Sequence, residues 1–480
     1  METDLADLAV SLARSEGAEY AEARLQTSWR SAALLRNGVL EPAEMSDSHG
    51  LGIRIIYDGA LAFGASNDLG RKNVRALVER TLKRAKTSAP LVSSKIRLSE
   101  EASSKGQWAA EEQKPLENVG MEQLVDTLRE VDLLIAPGAR GVTFPRRLLT
   151  IVIVVQDKYF TNSEGSSLTG RVPRAHFFGL VTADYEGKAT AVTIPPGYAQ
   201  MGGSGGWEII EALNLHEYVK EETDSISDVL LHGESPPQEE VDVVLGPDVT
   251  GLVAHESCGH PGEADRILGR EGAQAGESYL DSTDMGRRIG SAEANVVDDP
   301  TIPHSMGFYI YDDEGVLARP RRLIERGVVK ELLHNRATAS EFGVQSNGSA
   351  RSVRFDREPI VRMANTYVEP GDHSFEELIE GISLGVYIKS FMEWNIDDKR
   401  LNQRYGGLEA YLIRNGEVKH PVRSPILEIT TPKLWSTLDA RGKDLKFMAA
   451  TCGKGDPSQG APVWTGGPHV RLRNLRLKTR

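Results

Sequence analysis

Cysteine is scarce in this chain of 480 residues: there are only two, Cys258 and Cys452, and they lie far apart in the sequence. A fold held together by disulfide bonds is therefore not expected, and sparse cysteine fits a reducing cytosol. The first residues, Met1 to Asp4, also lack the basic start and the apolar run of a secretory signal peptide. We therefore expect a cytoplasmic protein.

Long apolar runs are missing as well. The longest run, Leu148 to Val155, has the length of a strand, whereas a membrane-spanning helix needs about 20 apolar residues. Basic residues do not predominate, because the net charge is −13. That balance argues against a nucleic-acid partner, since binding phosphates requires a basic surface. The sequence therefore predicts neither a membrane protein nor a nucleic-acid-binding protein.

The composition is that of an ordinary globular protein, with 40% hydrophobic and 26% charged residues. The first part of the chain mixes helical and strand patterns. Asp4 to Ser15 has an apolar helical face, and Asn37-Gly38 and Asp58-Gly59 are typical hairpin turns between apolar runs. These patterns predict a layer of helices on strands.

The best candidate for a domain linker is the segment 233–240, in which Pro236-Pro237 lies among acidic residues. We place the boundary there and predict an α+β protein of two domains. Residues 1–235 form an N-terminal α/β domain, and residues 236–480 form a C-terminal domain rich in antiparallel β-strands. Within the second domain, Phe308 to Tyr311 reads as part of a hairpin. The final segment, Val470 to Lys478, alternates apolar and basic residues and reads as an edge strand.

The candidate functional site is the stretch His255-Glu256-Ser257-Cys258-Gly259-His260, on a helix that begins near Pro247. Zinc hydrolases need three protein ligands and an open position for water. A glutamate directly after the first histidine lies beside the metal without binding it, so that it can accept the proton of the activated water. The stretch therefore predicts a zinc site with its own general base.

The spacing of the two histidines requires a distorted helix. In a straight α-helix, residues five apart are rotated by about 140°, so His255 and His260 could not face one ion. Gly259 and Pro261 permit either a widened π turn or a helix end that swings His260 back. We expect one of these two deformations.

A third ligand must come from elsewhere, and the spacing leaves several candidates. Cys258 could reach the same side of the helix, and Glu263 and Asp265 follow closely. Cys452 lies in a turn of small residues, where Lys454 would favour the thiolate. Each cysteine could instead be a small buried core residue. Spacing alone does not choose between Cys258 and Cys452.

The chain resembles the TldD/PmbA family of metallopeptidases, also called modulators of DNA gyrase, and within it the TldD branch. The PmbA-type paralogues lack the His-Glu-x-x-x-His motif, which this chain has. The matching segments are Gly17–Glu22, Asn37-Gly38, Gly251–His260, Asp312–Gly315, Arg362–Tyr367 and Thr451–Lys454. Asn347 to Ser352 and Met392 to Trp394 match only loosely, which leaves the substrate preference open.

The resemblance implies His255, His260 and Cys452 as ligands of a Zn²⁺ ion and Glu256 as the general base. Cys258 would be a filler without a role. It also implies dimers, either of this chain with itself or with a PmbA/TldE-like paralogue, and substrates that are unfolded or extended peptides. An extended peptide can pair with an open strand edge of a β-rich domain.

We therefore expect a zinc-dependent peptidase in which metal-activated water, with Glu256 as base, attacks a peptide bond. The first alternative is a non-catalytic peptide-binding or scaffold subunit whose metal site is structural or vestigial. The intact Glu256 argues against it, and a closed site with Cys258 as fourth ligand would favour it. A second alternative is a zinc hydrolase of non-peptide amides.

Overall fold

The computed structural model describes residues 2–273 and 275–479 and has the predicted α+β fold. None of the described helices combines the length and the apolar character needed to cross a lipid bilayer. The elements of the first part are α1 (Thr3–Ser15), β1 (Tyr20–Arg36), β2 (Val39–Leu40), β3 (Glu44–Tyr57), β4 (Ala60–Ser66), α2 (Arg71–Ser88), β5 (Lys105–Ala109), α3 (Met121–Ile135), β6 (Thr143–Asn162), β7 (Ser167–Tyr185), β8 (Lys188–Ile194), β9 (Met201–Ser204), α4 (Glu208–Glu211) and α5 (Leu215–His232).

All nine of these strands form one sheet, in the order β4-β3-β1-β6-β7-β5, with β2 paired to β1 and with β8 and β9 paired to β7. Tight turns join its hairpins, and the two predicted turns, Asn37-Gly38 and Asp58-Gly59, are confirmed. The turn residues Asn37 and Asp58 have positive φ, as such turns require. Neighbouring strands are therefore mostly antiparallel.

One face of this sheet is apolar and covered by helices. Alternate residues of β1 point toward the helices, because side chains of a strand alternate between its two faces. Ala21, Ala23 and Leu25 form a core with α1 and α2. Ala33 and Leu35, at the other end of β1, form a second core with α3 and α5.

The second part of the chain is richer in strands. Its elements are β10 (Glu240–Leu245), α6 (Pro247–Ala254), α7 (Ala264–Ile267), β11 (Val296–Asp298), β12 (Arg321–Glu325), β13 (Val328–Val329), α8 (Arg336–Phe342), β14 (Ala350–Arg351), β15 (Ile360–Val361), β16 (Asn365–Val368), α9 (Phe375–Ile379), β17 (Leu384–Ile388), β18 (Phe391–Ile396), β19 (Asn402–Gly407), β20 (Ala410–Arg414), β21 (Glu417–Pro421), β22 (Pro425–Thr430), α10 (Thr431–Thr437), β23 (Leu438–Arg441), β24 (Lys446–Lys454), β25 (Gln459–Gly467), β26 (Val470–Arg476) and β27 (Lys478–Thr479).

Two six-stranded sheets enclose the core of this second part. Their strand orders are β21-β20-β17-β10-β26-β23 and β13-β12-β11-β16-β25-β24. Helix α6 follows β10 of the first sheet and packs against β25 of the second, so it lies between the sheets. The pairs are mostly antiparallel, as predicted, but β10 and β17 are parallel, and so are β16 and β25. The boundary at residue 235 stays a prediction.

Two strand predictions are wrong. The final segment is no edge strand, because β26 pairs with β10 on one side and β23 on the other. Its basic residues are accommodated there because the neighbouring strands supply carboxylates: Arg471 pairs with Asp439, and Arg473 pairs with Asp439 and Asp242. Phe308 to Tyr311 is not a strand, although the chain reverses after it as predicted. An antiparallel bridge joins Tyr311 to Leu317, and the N–H of Ala318 donates to the carbonyl oxygen of Ile310 at 2.8 Å.

The other face of the nine-stranded sheet is polar and packs against the second part of the chain. Arg54 of β3 forms an ion pair with Glu314 at 2.6 Å, and Lys158 of β6 forms one with Asp313 at 2.9 Å. Arg24 of β1 donates to the hydroxyl of Ser352 at 2.9 Å. Buried charged and polar groups therefore contribute to the contacts between the two parts, beside apolar contacts such as that of Val172 with Phe308.

Candidate metal centre

The histidines of the predicted site lie where helix α6 widens into a π turn, His255–Gly259. The backbone N–H of His260 donates to the carbonyl oxygen of His255 at 3.0 Å, which is the hydrogen bond of a π turn. The turn takes in the extra residue, so both imidazoles lie on one side with ring centroids 4.8 Å apart. Of the two predicted deformations, the structure therefore has the π turn.

Gly259 fits this turn because no side chain could replace its hydrogen atom. A Cβ at this position would overlap the buried sulfur of Met363 and would lie 3.3 Å from Oγ1 of Thr366. Close packing against β16 and the residues before it therefore requires glycine here.

Strand β24 brings Cys452 to the two histidines. Its Sγ atom lies 3.3 Å from Nε2 of His260, and the candidate ligand atoms of His255, His260 and Cys452 all lie within 4.8 Å of one another. Pairing with β25 fixes the strand, and Arg362 donates a hydrogen bond to the carbonyl oxygen of Cys452. All three side chains are buried within the core of the second part.

Cys258 does not take part in this cluster. It lies in the apolar core of the second part, 3.7 Å from the hydroxyl of Ser257, and burial raises the pKa of its thiol well above the ordinary value. Trp435 donates to the same hydroxyl at 3.1 Å. Cys258 therefore behaves as a small core residue and is not a fourth member of the cluster.

Glu263 and Asp265, the other candidate ligands, have different partners. Oε2 of Glu263 lies 2.9 Å from Nδ1 of His260 and accepts from Arg266 at 2.6 Å. Lys454 donates to Asp265 at 2.7 Å and lies 3.3 Å from Glu263. A carboxylate behind a histidine fixes its tautomer and ring orientation. Glu263 therefore directs Nε2 of His260 toward Cys452.

Glu256, the predicted base, is buried beside Arg400 and forms an ion pair with it. Burial alone would raise the pKa of Glu256, but Arg400 together with His260 and His255 holds that pKa below its ordinary value. Arg400 lies in the loop between β18 and β19 and has a positive φ, a strained conformation often found at functional sites.

The electrostatics suit a metal ion. Burial lowers the pKa of both histidines, so their imidazoles are neutral, as ligation requires. Burial opposes ionisation of Cys452, but the protonated form of His260 and the charge of Arg362 outweigh burial and lower the pKa of the thiol to about 7. Nδ1 of His255 is buried without a hydrogen-bond partner among the described residues. Two imidazoles and one thiol that ionises readily form a donor set suited to zinc.

Three family models of known proteins match this chain. They are the PmbA/TldA metallopeptidase domain 1 at residues 21–85, the central domain at 114–226 and the C-terminal domain at 238–479. A metalloprotease of Methanothermobacter thermautotrophicus is 33% identical over 460 residues, which cover 96% of this chain and 95% of that protein. The chain belongs to the PmbA/TldD metallopeptidase family. The predicted resemblance is thereby confirmed.

Other PmbA/TldD proteins agree with this assignment. A Saccharolobus solfataricus protein named as a zinc metalloprotease TldD homolog is 32% identical over 248 residues, covering 52% of this chain and 53% of that protein. Among solved structures, TldE from Thermococcus kodakarensis has a TM-score of 0.75 at 18% identity, over 99% of both chains. A Thermotoga maritima protein described as a proposed modulator of a DNA gyrase has a TM-score of 0.77, also at 18% identity, over the full length of both chains. At this identity the structures support the fold alone.

Arg400 and Arg266 are residues of the candidate site in this PmbA/TldD chain that the sequence did not predict, and Arg400 is the one that contacts Glu256. It follows Asp397-Asp398-Lys399, which reads as an ordinary charged turn. It lies 144 positions from Glu256, its partner in the ion pair. No feature of the sequence around Arg400 predicts its contact with Glu256, because that contact forms only when the chain folds.

Proposed function

We propose that this protein is a zinc-dependent peptidase that cleaves unfolded or extended peptides with Glu256 as general base. The observation that carries this proposal is the buried arrangement of His255, His260 and Cys452 beside a carboxylate that is not one of them. A structural metal site has no use for a base, whereas a hydrolytic site requires one.

His255, His260 and Cys452 would hold the ion. When bound, zinc supplies a Lewis acid that makes water nucleophilic near neutral pH and polarises a carbonyl group. Glu256 accepts the proton of the attacking water and passes it to the amine that leaves. Arg400 is paired with Glu256. While Glu256 holds the proton, the guanidinium is free to donate a hydrogen bond to the carbonyl oxygen, where negative charge develops during the attack.

An extended peptide is supported as substrate by the position of β24. This strand carries Cys452 and lies at the edge of its sheet. Ala449 forms a backbone bridge with Gln200, and the outward main-chain groups of Thr451 and Gly453 point the same way. Those groups have no backbone partner among residues 2–273 and 275–479. A substrate strand paired there would lie next to the metal ligand.

We further propose a cytoplasmic protein without a nucleic-acid partner that works as a dimer, with itself or with a PmbA/TldE-like paralogue. The likeness to a TldE structure is compatible with the second arrangement. The competing proposal, a non-catalytic scaffold subunit with a vestigial site, has less support. Glu256 is present and buried beside the cluster, and Cys258 is not a fourth ligand of the cluster.

The substitution Glu256→Gln tests the mechanism. It removes the base but keeps the size of the side chain, so we expect normal zinc content by elemental analysis and loss of hydrolysis of an unfolded peptide by at least about 100-fold. Glu122→Gln, at an exposed position of α3, is the matched control. Wild-type rates in the Glu256→Gln protein would show that the proposed base is wrong.

A further inference from the structure

A cavity of about 400 Å³ lies between the polar face of the nine-stranded sheet and the second part of the chain. Strands β6 and β7 form one wall, and the segment around Tyr309, strand β14 and the hairpin β24–β25 form the other. The volume is that of a small-molecule site. Thr451 lines the cavity, but neither Glu256 nor any of the three candidate ligands does. The cavity therefore adjoins the metal centre and is distinct from it.

The charges around this cavity do not balance. Four basic side chains face two carboxylates: Arg30, Lys158, Arg174 and Arg351 against Asp312 and Asp313. Lys158 and Asp313 neutralise each other at 2.9 Å. The Asp312 carboxylate is already held by three backbone N–H groups, from Glu314, Val316 and Ala350. His176, also in the wall, is neutral because burial lowers its pKa to about 4.

Two of the guanidinium groups have no carboxylate partner in the described part of the chain. Arg174, 8% exposed, donates to the carbonyl oxygens of Met306 and Phe308 at 2.8 and 3.2 Å, and its Nη1 has no partner there. Arg351, 7% exposed, also donates only to main-chain carbonyl oxygens. Burial, and next the charge of Arg351, lower the pKa of Arg174 to about 9. A buried cation without an anion is costly, so an anionic ligand would stabilise both.

The rest of the wall is aromatic and apolar. Trp108 and Phe308 meet edge to face with ring centroids 6.1 Å apart, and Tyr309 lies beneath the Arg351 guanidinium at 5.4 Å. Val152 and Val154 continue this surface on β6. A ligand that fits such a wall carries an aromatic or apolar body as well as a negative group.

We propose that this cavity binds a carboxylate attached to an aromatic or apolar group, with Arg174 and Arg351 holding the carboxylate and Trp108 and Phe308 contacting the body. A guanidinium matches a carboxylate with two parallel hydrogen bonds, and the free Nη1 of Arg174 supplies such a donor. The C-terminus of a peptide and a small free carboxylic acid both present this chemistry.

Matched acids and amides test the proposal on the full-length protein. By calorimetry we expect 3-phenylpropionate to bind at least tenfold more tightly than 3-phenylpropionamide, since only the acid can pair with the arginines. The peptide arm compares acetyl-Ala-Ala-Phe with a free or an amidated C-terminus, in Glu256→Gln protein so that the peptide stays intact. Preference for either acid supports the site, and the arm that binds more tightly identifies the source of the carboxylate. Equal binding of acid and amide in both arms overturns the proposal that the cavity binds a carboxylate.

Variants assign the binding to this cavity. Arg174→Gln should weaken binding of the acid at least tenfold, Arg174→Lys should weaken it less, and the exposed Arg129→Gln should leave it unchanged. Circular dichroism and thermal unfolding check that each variant folds. Arg30→Gln is a second variant at the half-buried edge of the cavity, where the side chain forms an ion pair with the exposed Glu44. Acid binding that persists unchanged in both Arg174→Gln and Arg30→Gln contradicts the assignment.

The outcome is independent of the peptidase proposal. The cavity contains none of the candidate metal ligands, so binding is also measured on protein treated with a chelator, where we expect the same affinity for 3-phenylpropionate. Acid binding without peptidase activity would leave this inference standing and refute the proposed function. Peptidase activity without preference for the acid would support the proposed function and refute this inference.

Discussion

The ring of His260 is oriented by a chain of buried charged neighbours. Glu263 accepts from the far nitrogen of the ring, and Arg266 and Lys454 hold the carboxylate of Glu263 in turn. Lys454 and Arg266 keep the pKa of Glu263 well below its ordinary value despite burial, so it stays a carboxylate. The orientation of a candidate metal ligand is therefore set by residues that do not touch the metal position.

Glu263→Gln should weaken zinc binding roughly tenfold or more, because loss of such a supporting carboxylate typically costs 10- to 100-fold in affinity. Competition with a chromophoric chelator measures the change, and circular dichroism of the metal-free protein checks the fold. Glu277→Gln, at an exposed position, is the control. Unchanged zinc affinity in Glu263→Gln would mean that His260 is oriented by other contacts.

Arg400→Ala should lower kcat by roughly 100-fold, the usual cost of losing one donor to a developing oxyanion, and should leave zinc content unchanged. Arg400→Lys should restore part of the loss, because the charge remains near Glu256. The neighbouring exposed residue provides the control, Lys399→Ala. Steady-state kinetics with an unfolded peptide separate kcat from KM. An effect on KM alone would make Arg400 a binding residue instead.

At the scale of elements, the candidate metal centre depends on one turn of helix and one strand. Helix α6 alone cannot direct two histidines five residues apart toward one point, and the π turn His255–Gly259 removes that conflict. The turn is tightly packed, with Gly259 against Met363. Its geometry is therefore maintained by contacts with the residues around β16 as well as by its own hydrogen bond.

Gly259→Ala should destabilise the protein by about 1–3 kcal/mol, the usual cost of overpacking, and should weaken zinc binding by displacing His260. Met363→Ala makes room for the added methyl group, so the double variant should recover part of both losses. Gly381→Ala, where nothing lies within 4 Å of the new Cβ, is the matched control. Thermal unfolding and zinc titration report the two quantities. Additive losses in the double variant would show that Met363 is not the obstacle.

The sequence predicted those features that neighbouring residues decide. The distortion near Gly259 follows from the i,i+5 spacing of the histidines, and the hairpins follow from their turn residues. The choice of Cys452 over Cys258 came from the family resemblance. Spacing could not make this choice, because the position of Cys452 depends on the pairing of strands that are distant in the sequence. Arg400 was missed for the same reason. The predicted edge strand at the end of the chain was wrong because the carboxylates beside Arg471 and Arg473 come from distant strands.

At the scale of the whole molecule, the centre joins segments that are distant in sequence. The π turn and Cys452 are separated by almost the whole second part of the chain, and both lie in the same apolar core. A metal ion bound to both would add a link between α6 and β24, two elements otherwise joined by packing. Ligand binding to the folded state alone raises the stability of the whole cooperative unit.

Zinc should therefore raise the thermal unfolding midpoint of the wild-type protein, and a chelator should reverse the change. At a free zinc concentration 100 times Kd the stabilisation is about 2.7 kcal/mol. Cys452→Ala should abolish the response. Cys258→Ala should keep it, although the cavity left in the core lowers the midpoint in both the presence and the absence of zinc. Calorimetric scans of the three proteins distinguish the two cysteines. Loss of the zinc response in Cys258→Ala with a normal response in Cys452→Ala would reverse the assignment of the third ligand.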